Sequence, residues 1–119
     1  RLVSSTTACA EPLEVVSGCV TAAQKLLLEQ QRSADTIDLF EIHEAFSATI
    51  LKARQTLEIE PDKQNVNGGV IALGHPMGAT GAIMAGTLID ELHRQQLTSG
   101  VVAASGAAGS GSALLLERC

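Results

Sequence analysis

Two histidines stand where regular structure is predicted to end. His43 follows an apolar, β-competent run over residues 37–42 and precedes a helical pattern. A rigid strand aims such a side chain into a crevice. His75 lies between Gly74 and Pro76, so the backbone rather than a regular element holds it. His43 could donate a hydrogen bond to a carbonyl oxygen or shuttle a proton. The rigid placement of His75 suits a group that polarises a thiol or an oxyanion. The alternatives are a structural histidine bonded to the backbone and an incidental residue of a glycine-rich turn.

Two further stretches are built from small residues. Residues 105–111 read Ser-Gly-Ala-Ala-Gly-Ser-Gly between two apolar runs. Backbone N–H groups of such a loop can donate hydrogen bonds to a developing oxyanion, although a plain hairpin of small residues is the alternative. Gly78 and Gly81 flank Thr80 at the start of a predicted helix, where free N–H groups could bind an anion.

The elements that must position these loops alternate between strand and helix. Strands are predicted over residues 1–9, 37–42, 101–104 and 113–116, the last two as an antiparallel hairpin. Apolar residues recur at helical spacing in three segments, Val16, Val20, Ala23 and Leu27, then Phe46, Ile50, Ala53 and Leu57, then Ala85, Leu88, Ile89 and Leu92. The order β-α-β-α-loop-α-β-β predicts an α/β fold with a mixed sheet covered by helices.

Composition excludes several classes of protein. The chain of 119 residues fits one domain, and 45% hydrophobic with 18% charged residues is typical of a globular protein. Only 2% of residues are aromatic and the net charge is -5, which opposes nucleic-acid binding. No apolar run approaches the roughly 18 residues of a membrane span.

The cysteines indicate neither a metal site nor a disulfide framework. Cys9, Cys19 and Cys119 are an odd number at spacings that fit no zinc or redox motif. We therefore expect a reducing, intracellular location, cytoplasmic if the source is bacterial. Cys9 and Cys19 are predicted to be small buried apolar residues.

Together the three loops resemble those of the thiolase family over essentially the full chain. Residues 65–81, Asn-Val-Asn-Gly-Gly-Val-Ile-Ala-Leu-Gly-His-Pro-Met-Gly-Ala-Thr-Gly, resemble the family's second signature almost residue for residue. Residues 43–46, His-Glu-Ala-Phe, resemble the loop that most members write Asn-Glu-Ala-Phe and a subset writes with His. Residues 105–107, Ser-Gly-Ala, stand in the place of the family's Cys-x-Gly motif.

The resemblance implies a fold and an activity. Residues 1–119 would form a thiolase-like C-terminal half-domain, which stacks on an N-terminal half that carries the nucleophilic Cys. The complete protein would cleave a 3-oxoacyl-CoA with CoA or condense acyl-CoA units, and would assemble as a dimer or tetramer. CoA and acyl-CoA would be substrates, with no covalently bound cofactor.

The resemblance also assigns roles to residues. His75 would activate the nucleophilic Cys and line the oxyanion hole of the thioester enolate, and His43 would donate to the same hole. Ser105 stands where the family has its acid/base Cys, and backbone N–H groups of Gly106 and Ala107 would form a second oxyanion hole. Support of the loops falls to Asn65, Asn67, Gly68, Gly69, Gly74 and Pro76.

Ser105 departs from the family pattern in a way that affects the activity. A hydroxyl is a far weaker acid than a thiol of pKa ~8.5. The neighbouring loop reads Ala45-Phe46-Ser47 and offers no replacement Cys. Either His43 transfers the proton, or the protein is an acyl-CoA-binding or assembly subunit without thiolysis. An unrelated phosphate-binding α/β domain is a third alternative, but no Walker-type Lys follows the glycines.

Overall fold

The computed structural model describes residues 1–119 as one four-stranded sheet with helices on both faces. The strands and helices are β1 (Leu2–Cys9), α1 (Gly18–Glu29), β2 (Leu39–Ile42), α2 (Ser47–Leu57), α3 (Val70–Leu73), α4 (Thr80–Arg94), β3 (Ser99–Ser105) and β4 (Ser110–Glu117). Single 3-10 turns occupy Pro12–Glu14, Ala34–Thr36, Pro61–Lys63, Met77–Ala79 and Ala107–Gly109. None of the helices has the length and apolar character that crossing a membrane requires.

The sheet is mixed, with strand order β1-β4-β3-β2. β3 and β4 form the predicted antiparallel hairpin, and β1 pairs antiparallel with β4 on its other side. β2 pairs parallel with β3, with Phe40 opposite Val101. Parallel pairing makes the carboxyl ends of β2 and β3 meet at one edge of the sheet. His43 and Ser105 therefore lie at neighbouring strand ends.

The core has two parts, one on each face of the sheet. Val101 and Ala103 belong to a cluster of 16 buried residues that includes the apolar faces of α1 and α2. Val102 points the other way, since side chains alternate along a strand. It packs with Met84, Leu88 and Leu92 of α4 in the smaller cluster. The predicted α/β class with a mixed, helix-covered sheet is confirmed.

Close backbone contact brings α1 onto the sheet next to the Ser105 loop. A Cβ atom added to Gly111 would lie 2.0 Å from the Gly18 carbonyl oxygen. A Cβ on Gly18 would lie 2.1 Å from the Ser110 oxygen. Only glycine allows this approach, which fixes the first turn of α1 against the start of β4.

Some sequence predictions were wrong in detail. Ile89 is 43% exposed, because the buried face of α4 passes through Met84, Leu88 and Leu92 and includes Glu91 in place of Ile89. Phe46 precedes α2 and is exposed. Cys9 is exposed because it ends an edge strand, whereas Cys19 is buried as predicted.

The segment between α2 and α4 also differs from the predicted loop. Val70–Leu73 forms a single helical turn, α3, that buries none of its residues. Its Ile71 and Leu73 side chains are each 64% exposed. The turn holds its conformation through hydrogen bonds to the preceding loop, including Leu73 N–H to the Gly69 carbonyl at 2.9 Å.

Candidate active site

His43 continues the line of β2 by one residue. Its backbone N–H donates to the Ala103 carbonyl at 2.9 Å, which extends the pairing with β3. The side chain is 5% exposed, and neither ring nitrogen has a hydrogen-bond partner. A buried polar group without a partner is destabilising. This observation argues against the alternative of a structural histidine satisfied by the backbone.

His75 is placed by the turn that follows α3. Gly74 has a φ of 91°, a conformation that strains other residues, and Pro76 continues the turn. The Nδ1 atom of His75 lies 2.7 Å from the Thr80 hydroxyl oxygen at the start of α4. A hydroxyl can donate to or accept from an imidazole nitrogen, so Thr80 fixes the ring while leaving Nε2 for chemistry.

The two imidazoles face each other. Their ring centroids are 4.6 Å apart, with an interplanar angle of 45°. Burial lowers the pKa of His43, and the charge that His75 can carry lowers it further. The Ser105 carbonyl and the Glu44 carboxylate oppose this shift of the His43 pKa, although the carbonyl makes no hydrogen bond of normal geometry with the ring. His43 is therefore a neutral imidazole near pH 7.

The Asn-Val-Asn-Gly-Gly segment anchors the loop that carries His75. Asn65, at a φ of 49°, bonds the backbone of Ile42 through both atoms of its side-chain amide. Asn67 donates to Glu91 of α4 at 3.0 Å. Hydrogen bonds from Arg94, Gln95 and Asn67 lower the pKa of Glu91 to about 2. The two asparagines thus tie one loop to β2 and to α4.

The two glycines of this segment meet different needs, a positive φ at Gly68 and close packing at Gly69. Gly68 has a φ of 79°, and its N–H donates to the Asn65 carbonyl at 2.8 Å. Gly69 is buried against Glu44. The support role of these residues stays a prediction, and the contacts describe how the loop is held.

Ser105 lies at the end of β3, but its hydroxyl is engaged within the fold. It accepts a hydrogen bond from the Cys19 backbone N–H at 2.9 Å and donates one to the Val16 carbonyl at 2.9 Å. The hydroxyl therefore satisfies backbone groups at the entry to α1. Burial raises the pKa of the neighbouring Cys19 thiol, and a hydrogen bond with Ser105 acts in the opposite direction.

The loop after Ser105 presents one of the two predicted backbone donors. The Gly106 N–H donates to the Ser110 carbonyl at 2.8 Å and is already used. Ala107 is exposed, at the start of the 3-10 turn Ala107–Gly109. Ala107 is thus the better placed of the pair to offer an N–H group.

The largest cleft does not contain the histidines. It measures about 580 Å³ and runs between the ends of β1, β3 and β4, with Thr7, Cys9, Ser105 and Ser112 in its wall. A much smaller cavity of about 20 Å³ lies below the His75 turn and touches Glu41 and Thr80. The candidate site is therefore defined by the imidazole pair and not by the largest cleft.

Three residues near the histidines received no role from the sequence. Thr80 and Glu44 both lie within recognised motifs, where a polar residue beside a candidate histidine is a signal. Glu41 is 3% exposed in the middle of β2. Burial, then the charges of Glu44 and Glu91, raise its pKa to about 7. A carboxylate inside a buried strand is itself a signal that sequence reading could have used.

Comparisons with known proteins identify the family of the chain. The family described as "Thiolase, C-terminal domain" matches residues 1–118. Acetyl-CoA acetyltransferase of Synechocystis sp. is 46% identical over 99 residues, which is 83% of this chain and 25% of that protein. The cytosolic acetyl-CoA acetyltransferase of Mus musculus is 38% identical over 118 residues, 99% of this chain and 30% of that protein.

A solved structure matches the whole chain. The crystal structure of the Bacillus anthracis acetyl-CoA acetyltransferase superimposes with a TM-score of 0.95 at 37% sequence identity, covering 100% of this chain and 30% of that one. The chain spans between a quarter and a third of the length of these three relatives. It therefore belongs to the thiolase family, whose C-terminal domain it forms.

Proposed function

We propose that this chain is the C-terminal half of an acyltransferase that cleaves a 3-oxoacyl-CoA with CoA, or condenses acyl-CoA units in reverse. The observation that carries the proposal is the pair of facing imidazoles, His43 and His75, 4.6 Å apart. Acyl transfer from a thioester develops negative charge on a carbonyl oxygen, and fixed donors aimed at that oxygen lower the barrier.

The geometry supports distinct roles for the two histidines. With Nδ1 held by Thr80, His75 can use Nε2 to accept a thiol proton and later to return it. The nucleophilic thiol would come from an N-terminal half, as the resemblance implies. His43 is buried and neutral, so one of its nitrogens can donate to the thioester oxygen without carrying a charge.

Acyl-CoA is then the substrate, and the protein would work as an intracellular homo-oligomer of paired halves. Ala107 is an exposed residue, and its backbone N–H would contribute to a second oxyanion hole. The names of the relatives support acyl-CoA as the substrate class: acetyl-CoA acetyltransferases and a peroxisomal 3-ketoacyl-CoA thiolase of Arabidopsis thaliana share 38–46% identity with the chain.

The test is thiolysis by the complete protein, using acetoacetyl-CoA and longer 3-oxoacyl-CoA substrates. We expect turnover that depends on the N-terminal Cys and on His75. Absence of turnover over the whole range of chain lengths, with the N-terminal Cys intact, would contradict the proposal.

One observation favours a second function, acyl-CoA binding or assembly without thiolysis. The Ser105 hydroxyl, in the place of the family's acid/base Cys, is bonded to Val16 and Cys19. Calorimetry with acyl-CoA separates the two functions. Binding without turnover, both in the natural protein and in Ser105→Cys, supports the second function.

A further inference from the structure

Glu44 and Asn65 join the two segments that carry the histidines. Glu44 directly follows His43 after β2, and Asn65 opens the loop that leads to His75. The Asn65 side chain donates to the Glu44 carboxylate at 3.0 Å. We refer to this pair with its backbone partners as the Glu44–Asn65 clamp.

Asn65 imitates a strand residue on the outer edge of β2. Its Oδ1 accepts from the Ile42 N–H at 2.8 Å, and its Nδ2 donates to the Ile42 carbonyl at 2.9 Å. Its own N–H donates to the Phe40 carbonyl at 2.8 Å. The amide therefore holds the backbone of Ile42, the residue immediately before His43, on the side opposite β3.

Glu44 extends the connection to the His75 segment. One carboxylate oxygen accepts from Asn65 and the other accepts from the Ile71 N–H of α3 at 3.0 Å. α3 ends at Leu73, two residues before His75. Both carboxylate oxygens are thus used, one on each side of the junction between the two segments.

The packing around the clamp leaves little room for other side chains. A Cβ atom added to Gly69 would lie 2.4 Å from the Glu44 carboxyl carbon and 2.8 Å from the Asn65 Nδ2. Gly69 also accepts the first backbone hydrogen bonds of α3 from Ala72 and Leu73. The loop backbone and the clamp are therefore in direct contact.

We propose that Glu44 and Asn65 are positioning residues, which set the distance and orientation of the His43 and His75 rings. An effect of this positioning on catalysis rests on the proposed function, whereas the positioning of the two rings does not depend on it. Neither residue needs to touch substrate for this role. Misplacement of a catalytic group by about 1 Å can cost a factor of about 100 in rate.

The structure offers a matched control on the same strand. Asp38 precedes β2, and its carboxylate accepts from the Thr98 and Ser99 N–H groups at 2.9 Å each. Asp38→Asn and Glu44→Gln therefore make the same carboxylate-to-amide change at opposite ends of β2. Only Glu44 is tied to the histidines.

The experiment follows the imidazoles by NMR in the complete protein with labelled histidines. In Glu44→Gln we expect weaker nuclear Overhauser contacts between the two rings and a His43 titration shifted to lower pH. The shift follows because the Glu44 carboxylate raises the His43 pKa. The amide has a single oxygen, which can accept from Asn65 or from Ile71 but not from both, so the link between the two segments is lost. Asp38→Asn should leave both readouts unchanged.

A swapped pair tests the connection between the two residues. Asn65→Asp places a second carboxylate beside Glu44, and we expect the ring contacts to weaken. Adding Glu44→Gln supplies an amide that donates to the new carboxylate while still accepting from Ile71, so the double variant should recover part of the contacts. Absence of recovery contradicts a direct link between the two side chains.

The rate of thiolysis by the complete protein gives a further readout. Glu44→Gln should lower kcat about tenfold and leave KM within about twofold. If Glu44→Gln and Asp38→Asn lower stability alike while the ring contacts, the His43 titration and kcat stay as in the natural protein, Glu44 is only structural and the proposal fails. If the natural protein shows no thiolysis, the proposed function fails, and the NMR measurements still decide the role of the clamp.

Discussion

The polar side chains at the neighbouring ends of β2 and β3 differ in whether they have hydrogen-bond partners. At the end of β2, both ring nitrogens of His43 are buried and have no hydrogen-bond partner. At the end of β3, the Ser105 hydroxyl both donates and accepts a hydrogen bond. An unsatisfied buried polar group costs about 1–3 kcal/mol, and such costs are expected at functional sites. The contrast is the one expected if His43 takes part in the proposed chemistry while the Ser105 hydroxyl holds the start of α1.

The largest expected effect concerns the exposed member of the histidine pair. His75→Ala in the complete protein should lower kcat/KM for thiolysis about 1000-fold, since both a base and a donor are lost. Because His75 is exposed, the free energy of unfolding should change little. Thiolysis rates and chemical denaturation measure the two quantities. A loss of activity matched by a loss of stability would mean that His75, like Ser105, mainly stabilises the fold.

Glu41 adds a second buried group to the β2 side, and its effect should appear in the pH dependence of stability. Burial raises the pKa of Glu41 from 4.5 to about 7. In this window the folded chain keeps a proton on Glu41 that the unfolded chain has released, so the contribution of Glu41 to stability falls as pH rises from 4.5 to 7.

Glu41→Gln cannot ionise and should remove this fall, a difference on the order of 3 kcal/mol above about pH 8. Urea denaturation over a series of pH values measures it. The exposed Glu60→Gln is the control and should keep the natural pH dependence. Parallel pH profiles for the natural chain and Glu41→Gln would show that Glu41 ionises normally.

His43→Leu separates activity from stability at the buried ring. We expect thiolysis to fall about 100-fold, while stability near pH 7 is kept or rises by about 1 kcal/mol because no unpartnered nitrogen remains buried. The contribution of His43 to stability has the opposite sign to that of Glu41: it falls as pH drops below about 6.5, since the folded state resists protonation of His43. His43→Leu should lose less stability than the natural chain when the pH is lowered through this range. The exposed His93→Asn is the control and should keep the pH dependence of the natural chain. A large loss of stability in His43→Leu contradicts the comparison.

Ser105→Ala should show the smallest effect on activity. It leaves the Cys19 N–H and the Val16 carbonyl without their partner, and the expected cost is about 2 kcal/mol of unfolding free energy. Thermal unfolding and thiolysis rates, measured side by side, decide the outcome. A rate that falls more than tenfold with unchanged Tm would assign Ser105 to the chemistry instead.

Much of the fold could be predicted because its elements are bounded by glycine and proline and carry clear periodicity. The hairpin of β3 and β4 is local and was predicted correctly. The position of β1 beside β4 joins residues more than 100 positions apart, and no local pattern indicates such a pairing. The buried face of α4 was misread for another reason. Glu91 lies on it, and a carboxylate bonded to Asn67, Arg94 and Gln95 can be buried where pattern reading expects an apolar residue.

The candidate site was predictable as a set of motifs but not as an arrangement. The sequence indicates His43 and His75 as candidate catalytic residues, yet the short distance between their rings depends on the Glu44–Asn65 clamp. The engagement of the Ser105 hydroxyl depends on the approach of α1, which the glycines Gly18 and Gly111 permit. Both are contacts between segments distant in sequence, and the identity of a single residue does not reveal them.

The strand-like behaviour of Asn65 has a consequence for how the sheet can associate. β2 and β1 are the two edge strands, and unpaired edges are templates for aggregation or strand addition. At the β2 edge, the Phe40 carbonyl and both backbone groups of Ile42 are occupied by Asn65. Along β1, seven residues are paired, and all of them pair with β4. A further strand can therefore join this sheet at β1, while the edge beside the histidines is closed to growth.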